Sequence, residues 1–167
     1  PTRWFHWALA GAVAGLVVSG NIGGNAMVWH GRLGYLVGSL VLFRLLWGFF
    51  GGRWSRFRQF VRGPVVLLRY LRGVDRAAEH RAGHNPLGAL SVLAMLGLLA
   101  IQFGSGLFAD DEIAFTGPLV NWVGGDAVAF ATRVHRLTGE YLLPLLIGVH
   151  LAAIAFYRIV KKENLVG

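Results

Sequence analysis

The amino-acid sequence predicts an all-α integral membrane protein, built as a bundle of four transmembrane helices. Of its 167 residues, 55% are hydrophobic and only 14% are charged, whereas soluble domains carry about 25% charged residues. The mean hydropathy is +0.56, and the few charges avoid four long apolar windows. A helix that crosses a bilayer needs about 17–25 mostly apolar residues, so each window, together with its flanks, is long enough to span a membrane.

The four spans can be placed by their apolar runs and by the residues that bound them. We expect them within one domain, residues 1–167, at about 3–20, 29–50, 86–108 and 132–160. A turn rich in glycine and asparagine, Asn21 to Met27, separates the first two spans, and Gly51-Gly52 ends the second. Asn85-Pro86 predicts the start of the third, because asparagine is a preferred N-cap and proline is favoured at the first helical position.

The connection between the second and third spans, residues 53–84, is long and basic. Within it, residues 64–72 place Val65 and Leu68 on one face, with Arg69 and Arg72 elsewhere. That pattern is typical of a short amphipathic helix lying at the lipid headgroups. We therefore expect such a helix on the cytoplasmic side, between spans two and three.

The distribution of charge predicts the orientation of the bundle. Twelve of the sixteen cations lie on one side, namely the eight between Arg53 and Arg81 together with Arg3, Arg158, Lys161 and Lys162. By the positive-inside rule, both termini and the basic connection face the cytoplasm. The connection of residues 109–131, which is acidic, then faces outward. The net charge of +8 therefore reflects membrane topology and lipid contact rather than binding of nucleic acid.

The chain contains no cysteine. Disulfides, iron–sulfur clusters, thiolate zinc sites and covalent haem attachment through C-x-x-C-H are therefore excluded. Any redox cofactor has to be held noncovalently, by histidine or methionine. No motif indicates a hydrolase, a phosphate-binding loop or a dinucleotide-binding fold.

Four of the six histidines lie at or inside predicted spans, where an ionisable side chain is costly and usually functional. They are His6, His30, His135 and His150. Because successive spans run in opposite directions, His30 and His135 should share a level near the outer face. His6 and His150 should share a second level near the inner face.

Helix geometry allows both histidines of the fourth span to face the bundle interior. Fifteen residues separate His135 from His150, which is about 22 Å along the axis and roughly 60° in azimuth. Two facing histidines at each of two depths suit two stacked haems with paired axial imidazoles. Each histidine taken alone is equally consistent with a hydrogen-bonding residue in a helix contact.

Several small residues lie near these histidines in the sequence. Four glycines could leave room for a macrocycle between helices, namely Gly20, Gly34, Gly38 and Gly139. Close helix packing of the small-xxx-small kind would use the same residues.

Four motifs give the chain a resemblance to a known family. They are Arg3-Trp4-Phe5-His6-Trp7, Trp29-His30-Gly31-Arg32-Leu33-Gly34-Tyr35, Arg44-Leu45-Leu46-Trp47-Gly48 and Gly83-His84-Asn85-Pro86-Leu87-Gly88. Over essentially its whole length, the chain resembles bacterial cytochrome b561 and the related b-type subunits of nickel–iron hydrogenases. The resemblance implies a four-helix protein with two noncovalent b haems that exchanges electrons with the quinone pool. It also implies the four histidines of the spans as the axial ligands.

From this resemblance we expect transmembrane electron transfer between a quinone and a periplasmic redox partner, in the bacterial inner membrane. The partner would be a c-type cytochrome or a hydrogenase-like subunit, and the acidic connection would suit a cationic docking patch. The chain could then be the quinone-reactive subunit of an oxidoreductase, within a homodimer or a larger complex. The alternatives are a haem-free membrane transporter or scaffold, and a fixed membrane anchor of a hydrogenase or dehydrogenase.

Two further residues are candidates at the inner level. Arg44 lies fourteen residues beyond His30, so it could pair a haem propionate there, or snorkel to the cytoplasmic interface. His84, like His80, lies in the basic connection and is typical of a solvated loop. Its alternative role is that of a proton relay or propionate partner near an inner quinone site.

The spacing within the fourth span departs from the family pattern. Fifteen residues lie between its histidines, where about fourteen are expected, a change of about 100° in phase. Pro144 has no N–H to donate to the carbonyl of Glu140. We therefore predict a kink or a single-turn π-bulge between about Glu140 and Gly148. The alternative is a regular helix in which rotamers alone orient the rings.

Overall fold

The computed structural model describes residues 2–52, 55–60, 86–160 and 162, and within these ranges the chain is helical with no strand. Its α-helices are α1 (Thr2–Ile22), α2 (Met27–Phe50), a short α3 (Phe57–Phe60), α4 (Pro86–Gly106), α5 (Gly125–Leu137) and α6 (Leu143–Ile159). A π-helical segment, Thr138–Leu142, joins α5 to α6. Four helical stretches are long and apolar enough to cross a membrane: Arg3–Ile22, Gly24–Phe50, Gly88–Gly106 and Gly125–Ile159. The predicted all-α fold with four spans is confirmed.

Some predicted features lie outside the described residues. They are the amphipathic helix of residues 64–72, His80 and His84. The described helices run alternately in opposite directions, so the bundle has two ends. We call the end formed by the α1–α2 turn and residues 107–124 the cap end, and the opposite end, where α1 begins and α6 finishes, the termini end.

The α1–α2 turn depends on two glycines. Gly23 and Gly24 have φ angles of 68° and 52°, a left-handed region that is costly for residues with a Cβ. The N–H of Gly23 donates to the carbonyl of Ser19 at 3.0 Å, which satisfies one of the free carbonyls at the end of α1. The reversal is therefore tight, and it brings the start of α2 beside the end of α1.

The last span begins earlier than its hydropathy predicted, at Gly125 rather than near residue 132. Asp126 lies in the first turn of α5. Its negative carboxylate stabilises the helix there, because it is attracted to the positive end of the helix dipole. The continuous helix has 35 residues, about 52 Å at 1.5 Å per residue, whereas the hydrocarbon core is about 30 Å thick. The helical residues missed by the prediction are small or apolar except for Asp126, so the predicted start at residue 132 is about two turns too late.

The predicted π-bulge in the last span is present, and its position differs slightly. The π-helical segment begins at Thr138, two residues before the predicted window, and the N–H of Leu143 donates five residues back to Thr138. The Thr138 hydroxyl also donates to the carbonyl of Val134 at 2.7 Å, a back-bond that bends helices. Together with the missing N–H of Pro144, these bonds explain why the extra residue is absorbed here.

The buried apolar core is a layer in the middle of the bundle. Its members are Ala12, Val13, Val37, Val41, Leu99 and Leu143. Each lies near the midpoint of its own membrane-spanning stretch, so the layer separates the two ends of the bundle. Many other large apolar side chains face outward, among them Phe49, Leu145 and Leu151, as expected of a surface in contact with lipid.

At the cap end, the segment after α4 is held down by hydrogen bonds. The N–H of Asp110 donates to Thr132 Oγ1 of α5 at 3.0 Å. The carboxylate of Asp111 accepts the N–H groups of Ile113, Ala114 and Phe115 at 3.0, 2.8 and 2.8 Å. Desolvation raises the pKa of Asp111, but these backbone donors outweigh it and hold the pKa below its usual range. Because the pKa of Asp111 is lower in the folded state, its ionised carboxylate stabilises the fold at neutral pH. That stabilisation is lost only as the pH falls through the folded pKa.

The close approach of α2 and α4 at Gly38 generates a stability prediction. A Cβ on Gly38 would lie 2.4 Å from Cε2 of the Phe103 ring, so the ring would have to shift. We expect Gly38→Ala to lower the stability of the bundle by about 1–3 kcal/mol, measured by thermal unfolding of the purified protein in detergent.

The matched control for that variant is Gly11→Ala in α1, where an added Cβ would meet nothing within 4 Å. Alanine is the better helix former, so this control should unfold at the same temperature or slightly higher. Equal melting temperatures for the two variants would contradict the packing argument.

Candidate functional site

The structure brings the four histidines of the spans together as two pairs. His30 and His135 meet near the cap end, with ring centroids 6.1 Å apart and an angle of 77° between the ring planes. His6 and His150 meet near the termini end, with centroids 6.4 Å apart and an angle of 43°. We call these the outer pair and the inner pair. The apolar layer lies between them.

Both centroid separations fit two imidazoles that bind one metal ion from opposite sides. Each ligating nitrogen lies about 2.0–2.1 Å from the metal, which places the two ring centroids roughly 6.3 Å apart. In the part of the chain that the structure describes, no group of three or more His, Cys, Asp or Glu side chains comes together. Each pair therefore offers two nitrogen ligands, the number that an iron porphyrin takes from a protein on its two axial sides.

The rings of the outer pair are anchored to helix backbones. Nδ1 of His30 lies 3.0 Å from the carbonyl oxygen of Leu16, and Nδ1 of His135 lies 2.9 Å from that of Gln102. A carbonyl only accepts, so each Nδ1 carries the proton and donates it. This tautomer leaves Nε2 of each ring unprotonated, with a lone pair that can bind a metal.

Glycines allow the rings to approach these backbones. A Cβ on Gly20 would lie 3.2 Å from Cε1 of His30, and one on Gly106 would lie 2.9 Å from Cε1 of His135. The sequence points to Gly20 but not to Gly106, which has no distinctive spacing from a predicted ligand. Gly106 comes next to the His135 ring only because α4 packs against α5.

The other three predicted glycines have different surroundings. Gly34 has nothing within 4 Å of an added Cβ, Gly38 packs against Phe103, and Gly139 packs against the Gln102 amide. Of these three glycines, only Gly34 has open space next to it.

Gln102 and Thr138 form a polar contact beside the outer pair that the sequence did not predict. Nε2 of Gln102 lies 3.2 Å from Nε2 of His135, and Oε1 of Gln102 is in contact with the Thr138 hydroxyl. The only signal in the sequence is that Gln102 is a polar residue within an apolar span. A metal ion on Nε2 of His135 would take the lone pair that the Gln102 amide now uses, leaving that amide beside the metal.

Phe115 covers the outer pair from the cap end. Its ring lies edge-to-face with His30 at 6.4 Å, and its Cε2 would be 3.4 Å from a Cβ on Gly31. The Asp111 carboxylate fixes the backbone at Phe115. The acidic connection thus places an apolar ring against His30 on the cap side of the outer pair.

One ring of the inner pair, that of His6, has an aromatic neighbour, and further aromatic rings contact one another on α1 and α2. The ring of Trp7 lies 5.4 Å from that of His6, and nearby Phe5 contacts Phe43 at 6.2 Å. Phe43 in turn stacks on Trp47 at 5.6 Å. Within the described ranges, neither His6 nor His150 makes a hydrogen bond through its ring nitrogens, so the inner rings lack the backbone anchors of the outer ones.

Arg44 points toward α3 at the termini end. Its Nη1 donates to the carbonyl of Ser55 at 3.4 Å, and its guanidinium carbon lies 5.0 Å from the centroid of the Phe57 ring. His84, the other candidate at this level, lies outside the described residues.

Nearly the whole chain matches one family of known proteins. A family model described as prokaryotic cytochrome b561 matches residues 1–166, a range that includes both histidine pairs and both connections. No curated protein and no solved structure matched the chain.

The glycines at the outer pair predict a graded effect on haem retention. In Gly106→Ala the new methyl group would displace His135, and we expect haem affinity at the outer pair to fall by about 1–3 kcal/mol, roughly 5- to 150-fold. Gly20→Ala, with its longer contact, should have a smaller effect. The measurement is the haem content of the purified protein, followed during extraction with a competing haem acceptor.

Gly104→Ala is the matched control, since Gly104 lies on the same helix as Gly106 and an added Cβ there meets nothing within 4 Å. It should retain haem like the unmodified protein. Equal retention in all three variants would show that the glycines do not position the rings.

Proposed function

Because the chain belongs to the prokaryotic cytochrome b561 family, we propose that it carries electrons across the bilayer through two b-type haems. Family membership makes it a multi-pass membrane protein with a b-haem electron-transfer role, in agreement with the four spans. The resemblance drawn from the four motifs is confirmed at this level. The number of haems, their ligands, the quinone and the partner are our proposal.

We assign one haem to the outer pair and one to the inner pair. The single observation that carries this assignment is the centroid separation of 6.1 Å for the outer pair and 6.4 Å for the inner pair, each close to the value for two axial imidazoles on one iron. A bound haem supplies one-electron chemistry between ferric and ferrous iron. Noncovalent binding follows from the absence of cysteine.

The chain's own residues then have distinct tasks. The backbone carbonyls of Leu16 and Gln102 orient the outer rings, and Phe115 keeps water from them. The apolar layer, which includes Val41 and Leu99, excludes water and charge between the two levels. Open space at Gly34 supports room for a macrocycle beside α2.

We further propose that a quinone exchanges electrons at the termini end and a periplasmic redox protein at the cap end. The aromatic surroundings of His6 favour a flat apolar ligand there, and Arg44 supplies a cation for a haem propionate or a quinone oxygen. His84 is a candidate for the same region. The acidic segment Asp110 to Glu112 favours a partner with a cationic patch. The positive-inside distribution supports a cap end that faces the periplasm, with the protein in the bacterial inner membrane.

Ligand substitutions test the two-pair assignment. His150→Ala or His6→Ala should remove the inner haem only, and His30→Ala the outer haem only, because each haem depends on its own pair. Haem per polypeptide should fall from about two to about one in each variant. The two sets serve as controls for each other, and the remaining haem is identified by its potential in a potentiometric reduction.

Two outcomes would contradict the proposal in different ways. If every single substitution removed both haems or neither, the pairing would be wrong. If the unmodified protein showed no reducible low-spin b-type bands in its visible spectrum, the haem-free transporter or scaffold would be the better assignment.

A further inference from the structure

The two rings of the outer pair lie in the same local arrangement, repeated on two helices. Residues 16–20 of α1 read Leu-Val-Val-Ser-Gly, and residues 102–106 of α4 read Gln-Phe-Gly-Ser-Gly. Both segments lie at the cap end of a helix that runs toward the cap, and the next membrane-spanning helix supplies the histidine. We call each segment a cradle, made of a carbonyl, a serine three residues later and a glycine four residues later.

The cradles contact their histidines at closely matching distances. Nδ1 of His30 lies 3.0 Å from the Leu16 carbonyl oxygen and 3.3 Å from Ser19 Oγ. Nδ1 of His135 lies 2.9 Å from the Gln102 carbonyl oxygen and 3.4 Å from Ser105 Oγ.

The glycine in each cradle explains how an imidazole can reach a carbonyl that is already bonded within its helix. In an α-helix the side chain of residue i+4 leans back over the turn that contains the carbonyl of residue i. Glycine at that position uncovers the second lone pair of the carbonyl, and the imidazole ring occupies the space of the missing Cβ, as the short distances at Gly20 and Gly106 require.

The direction of the serine hydrogen bonds shows what the hydroxyl contributes. Ser19 Oγ donates its proton to the carbonyl of Gly15 at 2.7 Å, and Ser105 Oγ donates to that of Ile101 at 2.7 Å. With its only proton engaged, each hydroxyl can present only lone pairs to the neighbouring Nδ1–H. Each Nδ1–H is therefore shared between two acceptors, the carbonyl and the serine oxygen.

We propose that Ser19 and Ser105 are positioning residues that lower the reduction potential of the haem held between His30 and His135. This inference rests on the proposed function. Two acceptors on Nδ1–H make the imidazole a stronger electron donor through Nε2, and a more basic axial ligand stabilises ferric over ferrous iron. In the measured reaction one electron from a chemical mediator reduces ferric to ferrous iron, with no bond formed or broken and no proton transferred.

The effect should be confined to one end of the bundle. In the ranges that the structure describes, the inner pair has no hydrogen bond to its ring nitrogens, so the serines act on the outer pair alone. The cradles thus make the two haem sites chemically unequal, although both have two histidines.

The test is a potentiometric reduction of the purified full-length protein, followed optically, with Ser19→Ala, Ser105→Ala and the double variant. The outer component is identified beforehand as the one that His30→Ala removes. In the double variant we expect its ferric-to-ferrous ratio at a fixed potential to fall three- to tenfold, where tenfold is about 59 mV for a one-electron couple. The inner component should not move.

Ser39→Ala is the matched control. Ser39 donates to the carbonyl of Tyr35 four residues back at 2.8 Å, the same helix back-bond, but it lies on the exposed surface of α2. Both potentials should stay unchanged in this variant. A conservative variant, Ser105→Thr, keeps the hydroxyl and should retain the outer potential of the unmodified protein.

Each result decides for or against the inference. An unchanged outer potential in the double variant, or an equal shift of both components, would overturn it. If an alanine variant does not retain the outer haem, Ser105→Thr decides: a native potential supports the role of the hydroxyl, and a lost haem or a shifted potential refutes it. Two reducible components must be present in the unmodified protein, and their absence would instead refute the proposed function.

Discussion

The hydrogen bond from an imidazole Nδ1–H to a helix carbonyl is the interaction on which the rest of this bundle depends. It fixes the tautomer of His30 and His135, whose ring centroids lie 6.1 Å apart between α2 and α5. It also requires glycine four residues after each carbonyl, so it determines where α1 and α4 can approach the histidine-bearing helices. In a hydrocarbon environment such a polar ring needs an internal partner, and the helix backbone supplies one.

The extra residue in the last span shows that the positions of the histidine rings also constrain the helix between them. His135 is held by α4, and His150 must face His6 on α1, so the rotation between the two rings is determined at both ends. The π-helical segment Thr138–Leu142 absorbs one residue between them. Thr138 takes part in both tasks, because its hydroxyl contacts Gln102 beside the outer pair and also bonds back to Val134 in its own helix.

The two ends of the bundle differ in their chemistry although each contains a pair of histidines. The outer pair is anchored by hydrogen bonds and has Phe115 against His30, while in the inner pair Trp7 lies beside His6. The apolar layer keeps the two environments apart in the middle of the membrane. An electron carrier that passes charge between two different partners benefits from such inequality, since the potential of each site can be set by its own neighbours.

The sequence by itself determined the fold class, the four spans and the grouping of the histidines into two levels. Hydropathy and helix period can be read from a single segment. In an antiparallel bundle they are enough to assign the depth of each histidine in the membrane. The sequence also predicted a helix irregularity in a window, Glu140 to Gly148, that overlaps the observed π-helical segment Thr138–Leu142, because a proline and an extra residue are local features. Only the tertiary structure decided which atoms surround each ring. The roles of Gly106, Ser105, Gln102 and Phe115 depend on contacts between residues about 30 or more positions apart, or across the cap, and no period within one helix records which face of a neighbouring helix lies opposite.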